Sequence, residues 1–231
     1  MMLSVKNVDV RYGGIRALQG VSIEIERGET VLLLGANGAG KSSLLKSVIG
    51  TVKPVAGEIA FAGKSISSLR SDQRARLGMG YSPEGRRVFA TMSVFDNVLS
   101  GAPGLSETSR KDAYKRLSGM FPLLSERATQ PAGQLSGGQQ QLVAFARAMC
   151  SSPTLLLLDE PFLGLAPIWI KQVSDAIREM KKSGTTILMS EQMAVPALKV
   201  ADRGYVLRGG EIRHSGTTAE LKELSLNEEY L

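Results

Sequence analysis

A largely apolar run, Thr30-Val31-Leu32-Leu33-Leu34, passes without a break into Gly35-Ala36-Asn37-Gly38-Ala39-Gly40-Lys41-Ser42. No other junction in the chain constrains its fold as tightly. The first part has the length and composition of a strand buried on both faces. The second matches G-x-x-x-x-G-K-[ST] at every specified position. Each residue type has a physical reason. Glycines let the backbone wrap a phosphate and turn its N–H groups inward. A helix that opens near Lys41 adds the positive end of its dipole, with Leu44, Leu45, Val48 and Ile49 on one side and Gly50 closing it. Lys41 brings a point charge to β- and γ-phosphates, and the Ser42 hydroxyl is a ligand for Mg²⁺. Gly35, Ala36, Asn37, Gly38, Ala39, Gly40, Lys41, Ser42 and the neighbouring Ser43 are therefore the candidate ATP-binding residues. A glycine-rich turn that matches by chance is the competing reading; the position between a buried strand and a helix argues against it.

A second buried strand, residues 154–158, runs into Asp159-Glu160. In open α/β sheets ligands bind beyond the carboxyl ends of the strands, so two carboxylates at such an end beside a phosphate loop are functional candidates. Asp159 is expected to hold Mg²⁺ through its water shell, and Glu160 to orient or deprotonate an attacking water.

The rest of the chain supports a layered core. Leu3, Val5, Val8, Val10 and Tyr12 alternate as a strand before Gly13-Gly14, and Val21, Ile23 and Ile25 alternate with polar residues. Residues 57–63 read as another short strand. Residues 85–132 are Ser/Arg-rich with helical stretches such as 108–120, interrupted by Pro103, Pro122 and Pro131, and read as a mainly helical insertion. A strong helix starts at Ser136, where Ser136 and Gln139 form a capping box, and Pro153 ends it. Pro167 suits the first turn of a further helix and Gly184 its C-terminal stop. A third buried strand covers 185–190, a hairpin flanks Gly209-Gly210, and a closing helix covers 217–224. Strands alternating with helices give an α/β fold with a mostly parallel sheet.

Composition narrows the setting. Charged residues make up 22% and hydrophobic residues 43% of 231, ordinary for a globular chain. No run approaches the ~18 apolar residues of a membrane helix, and the N-terminal residues lack an export signal. One cysteine, Cys150, suits a reducing compartment and reads as a buried core thiol; one histidine, His214, reads as a surface residue of the terminal hairpin and leaves little for a zinc site. Trp169 reads as packing. The net charge of +6 is scattered and by itself decides nothing between a nucleic-acid face and a solvated surface that also binds a polyanionic nucleotide; the second reading is favoured, and no nucleic acid partner is expected.

Leu135-Ser136-Gly137-Gly138-Gln139 is the most specific motif. Paired glycines at a helix N-terminus expose N–H groups to an anion, with Ser136 adding a hydroxyl. With the phosphate loop upstream and Asp159-Glu160 downstream, the whole chain resembles the ATP-binding subunits of ABC-type membrane transporters. That resemblance implies a P-loop NTPase core of the ABC type, with an N-terminal antiparallel β sub-domain and an inserted helical sub-domain. The core would comprise residues 1–84 and 153–231, and the insertion residues 85–152. It implies ATP hydrolysis with ATP and Mg²⁺ bound, in a head-to-tail sandwich of two subunits where residues 135–139 face the partner's γ-phosphate. Tyr12 matches the aromatic that stacks on adenine; strand-end packing is its competing reading. Membrane permease subunits are the implied partners, with an extracytoplasmic solute-binding protein acting indirectly. A peripheral location on the cytoplasmic face of the inner (plasma) membrane follows.

More narrowly, residues 82–89, residues 164–167 and Glu191-Gln192 resemble the ATPases of branched-chain amino acid importers. Glu84 stands where most of the family carry a Mg-contacting glutamine, and is a candidate metal-facing carboxylate. Gln192 stands in place of the switch histidine; a glutamine can hydrogen-bond a γ-phosphate but carries no proton or charge. Ala166 replaces an interface aspartate. The last two departures imply pairing with a non-identical sister ATPase, a homodimer being the alternative. The alternatives are an importer subunit for another small solute and a non-transport ABC ATPase acting on nucleic acid or the ribosome; the latter types carry two cassettes or long coiled coils, and this chain has neither.

Overall fold

The computed structural model describes residues 1–226. Strands β1 (Leu3–Tyr12) and β2 (Ile15–Ile25) form an antiparallel hairpin turning at Gly13-Gly14. The buried apolar residues of β1 are Leu3, Val5, Val8 and Val10, a spacing that breaks strict alternation between Val5 and Val8. The register shifts at that point, with Asn7 in the left-handed region (φ 49), so the extra residue is absorbed and all four side chains reach one core.

Strand β3 (Thr30–Leu34) follows, then helix α1 (Lys41–Ile49), strands β4 (Ala56–Phe61) and β5 (Lys64–Ser65), helix α2 (Ser71–Arg76) and strand β6 (Met79–Ser82). Next come α3 (Val94–Leu99), α4 (Glu107–Met120), α5 (Leu123–Glu126), a 3₁₀ turn at Ala132–Gln134 and α6 (Gly137–Met149). The chain then alternates through β7 (Leu155–Asp159), α7 (Pro167–Lys182), β8 (Thr186–Glu191), α8 (Ala194–Leu198), β9 (Arg203–Arg208), β10 (Glu211–Thr217) and α9 (Thr218–Leu226).

Two sheets result. An antiparallel sheet of order β2-β1-β4-β5 stands beside a six-stranded sheet of order β10-β9-β3-β8-β7-β6, parallel throughout except for the β9–β10 hairpin. The central strands explain their own composition. Val31 and Leu33 of β3, with Leu155 and Leu157 of β7, enter the core around α1 and the antiparallel sheet. Leu32, Leu34, Leu156 and Leu158 enter the core built with α6, α7 and the helical region. With both faces covered, no polar alternation survives in these strands.

The helical reading of 85–132 holds: α3, α4 and α5 fall inside it. Ser93 and Ser106 cap α3 and α4 by accepting from the N–H groups of Asp96 and Ser109. The capping box at Ser136 is present, Ser136 N–H donating to Gln139 Oε1 at 2.9 Å. Helix α4 packs on the core through Tyr114, whose ring meets Phe95 edge to face at 4.6 Å. Cys150 is fully buried. His214 departs from expectation: its ring is half-buried against α9, and Nε2 is covered without a hydrogen-bond partner. Strand β6 and helices α2 and α8 carry no periodic signal of their own. β6 is only four residues long, and Gly80 within it packs against the Ala148 carbonyl and Pro153.

One tie to α1 is a buried arginine. Arg74 on α2 is 2% exposed, and Nη1 donates to the Ser47 and Val48 carbonyls at 2.7 and 2.8 Å. Those are end-of-helix carbonyls without intrahelical partners. Nε donates to the Leu69 carbonyl at 3.0 Å. Arg74→Ala strands several buried acceptors and removes the stem. It should cost about 3 kcal/mol in denaturant unfolding, with Arg74→Lys recovering only part because it lacks the planar fork.

Candidate functional site

The site begins with the register of the parallel strands. Leu34 pairs with Glu191, and Asp159 pairs with Ser190, so the phosphate loop, the acidic turn after β7 and the loop after β8 leave the sheet along one edge. A cleft of about 270 Å³ opens there, lined by Tyr12, Ile15, Arg16, Ala17, residues 37–43, Glu84 and Glu160.

The loop is locked from behind. Gly40, immediately before α1, has φ 109, and a Cβ there would lie 2.5 Å from the Ala17 carbonyl oxygen. Only glycine supplies both the conformation and the clearance. Lys41 is 4% exposed and folds back across the loop, donating to the Gly35 and Ala36 carbonyls at 2.8 and 3.1 Å. Its Nζ also lies 3.0 Å from Glu160 Oε1, and both partners are buried. Such a pair is costly to desolvate, and breaking it leaves a buried charge unpaired. A bound phosphate would give Lys41 an alternative anionic partner.

Asp159 is 1% exposed and collects hydroxyl donors: Ser42 Oγ at 2.9 Å and Ser190 Oγ at 2.6 Å on Oδ1, and Tyr81 OH at 3.2 Å on Oδ2. Burial, and then the Asp159 charge, push the Tyr81 phenol above its ordinary value, which keeps it a donor. Ser42 and Asp159 thus present oxygen ligands side by side, with Glu84 on the same cleft. This all-oxygen set fits Mg²⁺, which uses one or two carboxylates together with substrate phosphate and water.

Glu160 has φ 49, a left-handed conformation that costs a non-glycine residue about 1–2 kcal/mol. Its N–H donates to the Ser190 carbonyl at 3.0 Å. Next to it lies a second buried acid, Glu191, 1% exposed. Glu191 Oε1 accepts from Phe162 N–H at 2.8 Å. Burial, aided by the nearby Glu160 charge and opposed by its backbone donors, pushes the Glu191 carboxyl up to about 7.

The other predicted residues lie elsewhere. Gln192 is exposed in the loop between β8 and α8 and does not line the cleft. Leu135, Ser136, Gly137, Gly138 and Gln139 stand at the start of α6, away from this cleft within one chain. A Cβ at Gly138 would fall 2.8 Å from Trp169 Cδ1, whereas one at Gly137 would meet only the tip of the flexible Arg86 side chain. Trp169 therefore packs, as expected, but over the motif itself.

Sequence reasoning missed Ser190, Tyr81 and the role of Glu191. A signal existed for the last: Glu191 ends a buried apolar strand with a carboxylate, the pattern that singles out Asp159-Glu160.

The family model described as "ABC transporter" matches residues 18–163. The chain belongs to the ABC transporter family. Among curated relatives it is 44% identical over 220 residues to the high-affinity branched-chain amino acid transport ATP-binding protein BraG of Pseudomonas aeruginosa, covering 95% of this chain and 94% of that one. It is 36% identical over 223 residues to the lipopolysaccharide export system ATP-binding protein LptB of Escherichia coli, covering 95% and 92%. A nucleotide-free ATP-binding cassette of an ABC transporter superposes with a TM-score of 0.87 at 28% identity, over 98% of this chain and 95% of that one. A dimeric cassette in a post-hydrolysis state bound to ADP and Pi superposes with a TM-score of 0.85 at 26% identity, over 94% and 99%. The protein is an ABC ATPase with the α/β cassette fold.

Glu191 makes stability pH-dependent. Its folded-state affinity for a proton exceeds that of the unfolded chain, whose ordinary value is 4.5. The folded state therefore holds a proton that the unfolded state releases, and stability falls as pH rises from about 4.5 to about 7. Chemical unfolding at both ends of that window should show the native chain losing on the order of 3 kcal/mol more than Glu191→Gln. Parallel profiles for the two would remove this carboxyl as the cause.

Proposed function

We propose that this chain hydrolyses Mg·ATP to power an importer of branched-chain amino acids, as a peripheral subunit on the cytoplasmic face of the inner (plasma) membrane. The observation that carries the reading is the 44% identity to the branched-chain transport protein across 95% of the chain. The lipopolysaccharide-export relatives, at 36%, stand behind it. No helix among the described residues is long and apolar enough to cross a membrane, so the reading requires separate permease subunits.

Each residue then has a role. The backbone of residues 35–43 cradles the phosphates, and Tyr12 stacks on the adenine at the cleft mouth, where it is 44% exposed. Lys41 leaves Glu160 for the γ-phosphate, which frees Glu160 to face the attacking water. Ser42 and Asp159, with Glu84 on the same cleft, would hold Mg²⁺, which would supply charge neutralisation for the phosphates. Water attacks the γ-phosphorus as the bond to the bridging oxygen breaks; Glu160 orients that water and takes its proton. Gln192 hydrogen-bonds the γ-phosphate from the loop after β8 once a second subunit closes on the site. Residues 135–139 supply the partner-facing half: they bind the γ-phosphate held by the other chain through the N-terminus of α6. We read residues 1–84 and 153–231 as the catalytic core and 85–152 as the segment that meets the permease.

Gln192 and the alanine at 166 favour a non-identical sister ATPase over a homodimer, because a glutamine cannot carry the proton or charge of the switch histidine and an alanine lacks the carboxylate of the interface aspartate. A solute-binding protein would deliver the amino acid outside. Nucleic acid has no part in this reading.

Glu160→Gln should lower ATP turnover by about a hundredfold or more while ATP binding survives. Labelled leucine uptake in cells relying on that variant should collapse. Leucine uptake that persists after turnover is lost would move the transport reading to another solute, the lipopolysaccharide-export class included. Gln192→Ala should reduce turnover with less effect on ATP binding; unchanged turnover would remove Gln192 from the site.

A further inference from the structure

Glu191 is a buried carboxylate that the proposed chemistry does not use. Its oxygens accept from backbone N–H groups rather than from a lysine or arginine: Oε1 from Phe162 at 2.8 Å and Oε2 from Met193 at 3.4 Å. Its own main-chain carbonyl accepts from Gly35 N–H at 3.3 Å. One residue at the end of β8 therefore touches the start of the phosphate loop, the turn after Glu160 and the loop after Gln192.

The tie to Phe162 matters because of what lies between. Pro161 has no N–H, so Phe162 offers the first main-chain donor after Glu160. On the other side, Glu160 N–H donates to the Ser190 carbonyl at 3.0 Å. Two consecutive residues of β8 thus hold Glu160 from both flanks. Phe162 itself is fully buried, which anchors the far end of the turn. Glu160 has an unfavourable left-handed backbone, and such conformations persist only where the surroundings over-determine them. Burying an ionisable group for two backbone hydrogen bonds is a poor exchange for stability alone.

We propose that Glu191 is a positioning residue for ATP hydrolysis, whose bond to Phe162 N–H fixes the turn that aims Glu160 at the attacking water. The proposal rests on the reading in which Glu160 acts on that water. Loss of the tie lets the turn relax toward ordinary backbone angles and swings the carboxylate away from the γ-phosphate. The phosphate loop keeps its shape, because Gly40, Lys41 and α1 hold it independently.

The test uses the full-length chain purified together with its partner ATPase and permease subunits, with Mg·ATP. Turnover is followed against ATP concentration, and affinity is read with a fluorescent ATP analogue. Glu191→Met fills the same space without an acceptor. It should lower kcat roughly tenfold or more while leaving KM and analogue affinity within about twofold. Glu191→Gln keeps an oxygen for Phe162 N–H and should return kcat to within about threefold of the native value. A Met variant with native turnover would overturn the proposal. So would a Gln variant no better than Met, or a Met variant that fails to fold, which would make the residue structural. Glu160→Gln in the same assay separates two failures. Full turnover there would remove Glu160 from the chemistry and take this proposal with it. Loss there, with normal turnover in Glu191→Met, would overturn the role of Glu191 alone.

Discussion

Parallel pairing of β3, β7 and β8 governs everything at the nucleotide end of the molecule. Because Leu34 lies opposite Glu191 and Asp159 opposite Ser190, three loops of unrelated sequence leave the sheet at the same level. Slipping β7 by one residue would turn Asp159 to the opposite face and carry Leu156 and Leu158 out of their core. The hydrophobic fill of the strands and the geometry of the polar edge are thus one constraint. The continuous apolar runs that read as plain buried strands also set where the carboxylates stand.

That edge concentrates charge in a place with little water. Lys41, Asp159, Glu160 and Glu191 are each at most 5% exposed. Each has found a different kind of partner. Lys41 and Glu160 pair with each other, Asp159 takes three hydroxyls, and Glu191 takes backbone N–H groups. Buried charge satisfied in this way is stable only while every partner remains. A phosphate brought to Lys41 would compete with Glu160 for its ammonium group.

The segment 135–139 at the start of α6 belongs to another surface. Trp169 of α7 lies against Gly138 and the Arg86 side chain reaches Gly137, so the helix end meets both α7 and the loop after β6. On the far side of that loop, Arg147 donates to the Arg87 carbonyl and lies 5.2 Å from the Phe89 ring centroid. Phe89 is 51% exposed at the rim of a groove of about 440 Å³ between α2 and α6. One short loop thus connects the cleft at Glu84, the start of α6 and an apolar groove. In the proposed transporter this loop would carry motion from nucleotide to permease.

Local patterns in the chain determined much of this. The phosphate loop, the acidic pair after β7, the capping box at Ser136 and the helix limits at Gly50, Pro153 and Pro167 are each written in adjacent residues, since glycine, proline and capping preferences act over one or two turns. The period-2 strands were legible because one face of each is solvated, and the central strands because neither face is. Resemblance carried the reading from a nucleotide site to a transporter subunit. Other features were decided only by the tertiary structure. Strand β6 is too short to show a period and exists because β7 offers it a parallel edge. Ser190 and Tyr81 reach Asp159 across strand pairings, separated from it by 31 and 78 residues. Glu191 sits beside the turn after Glu160, 29 residues away from Phe162, because β7 and β8 run side by side. Hydrogen bonds between strands join positions whose separation along the chain has no characteristic spacing, so no local pattern announces them.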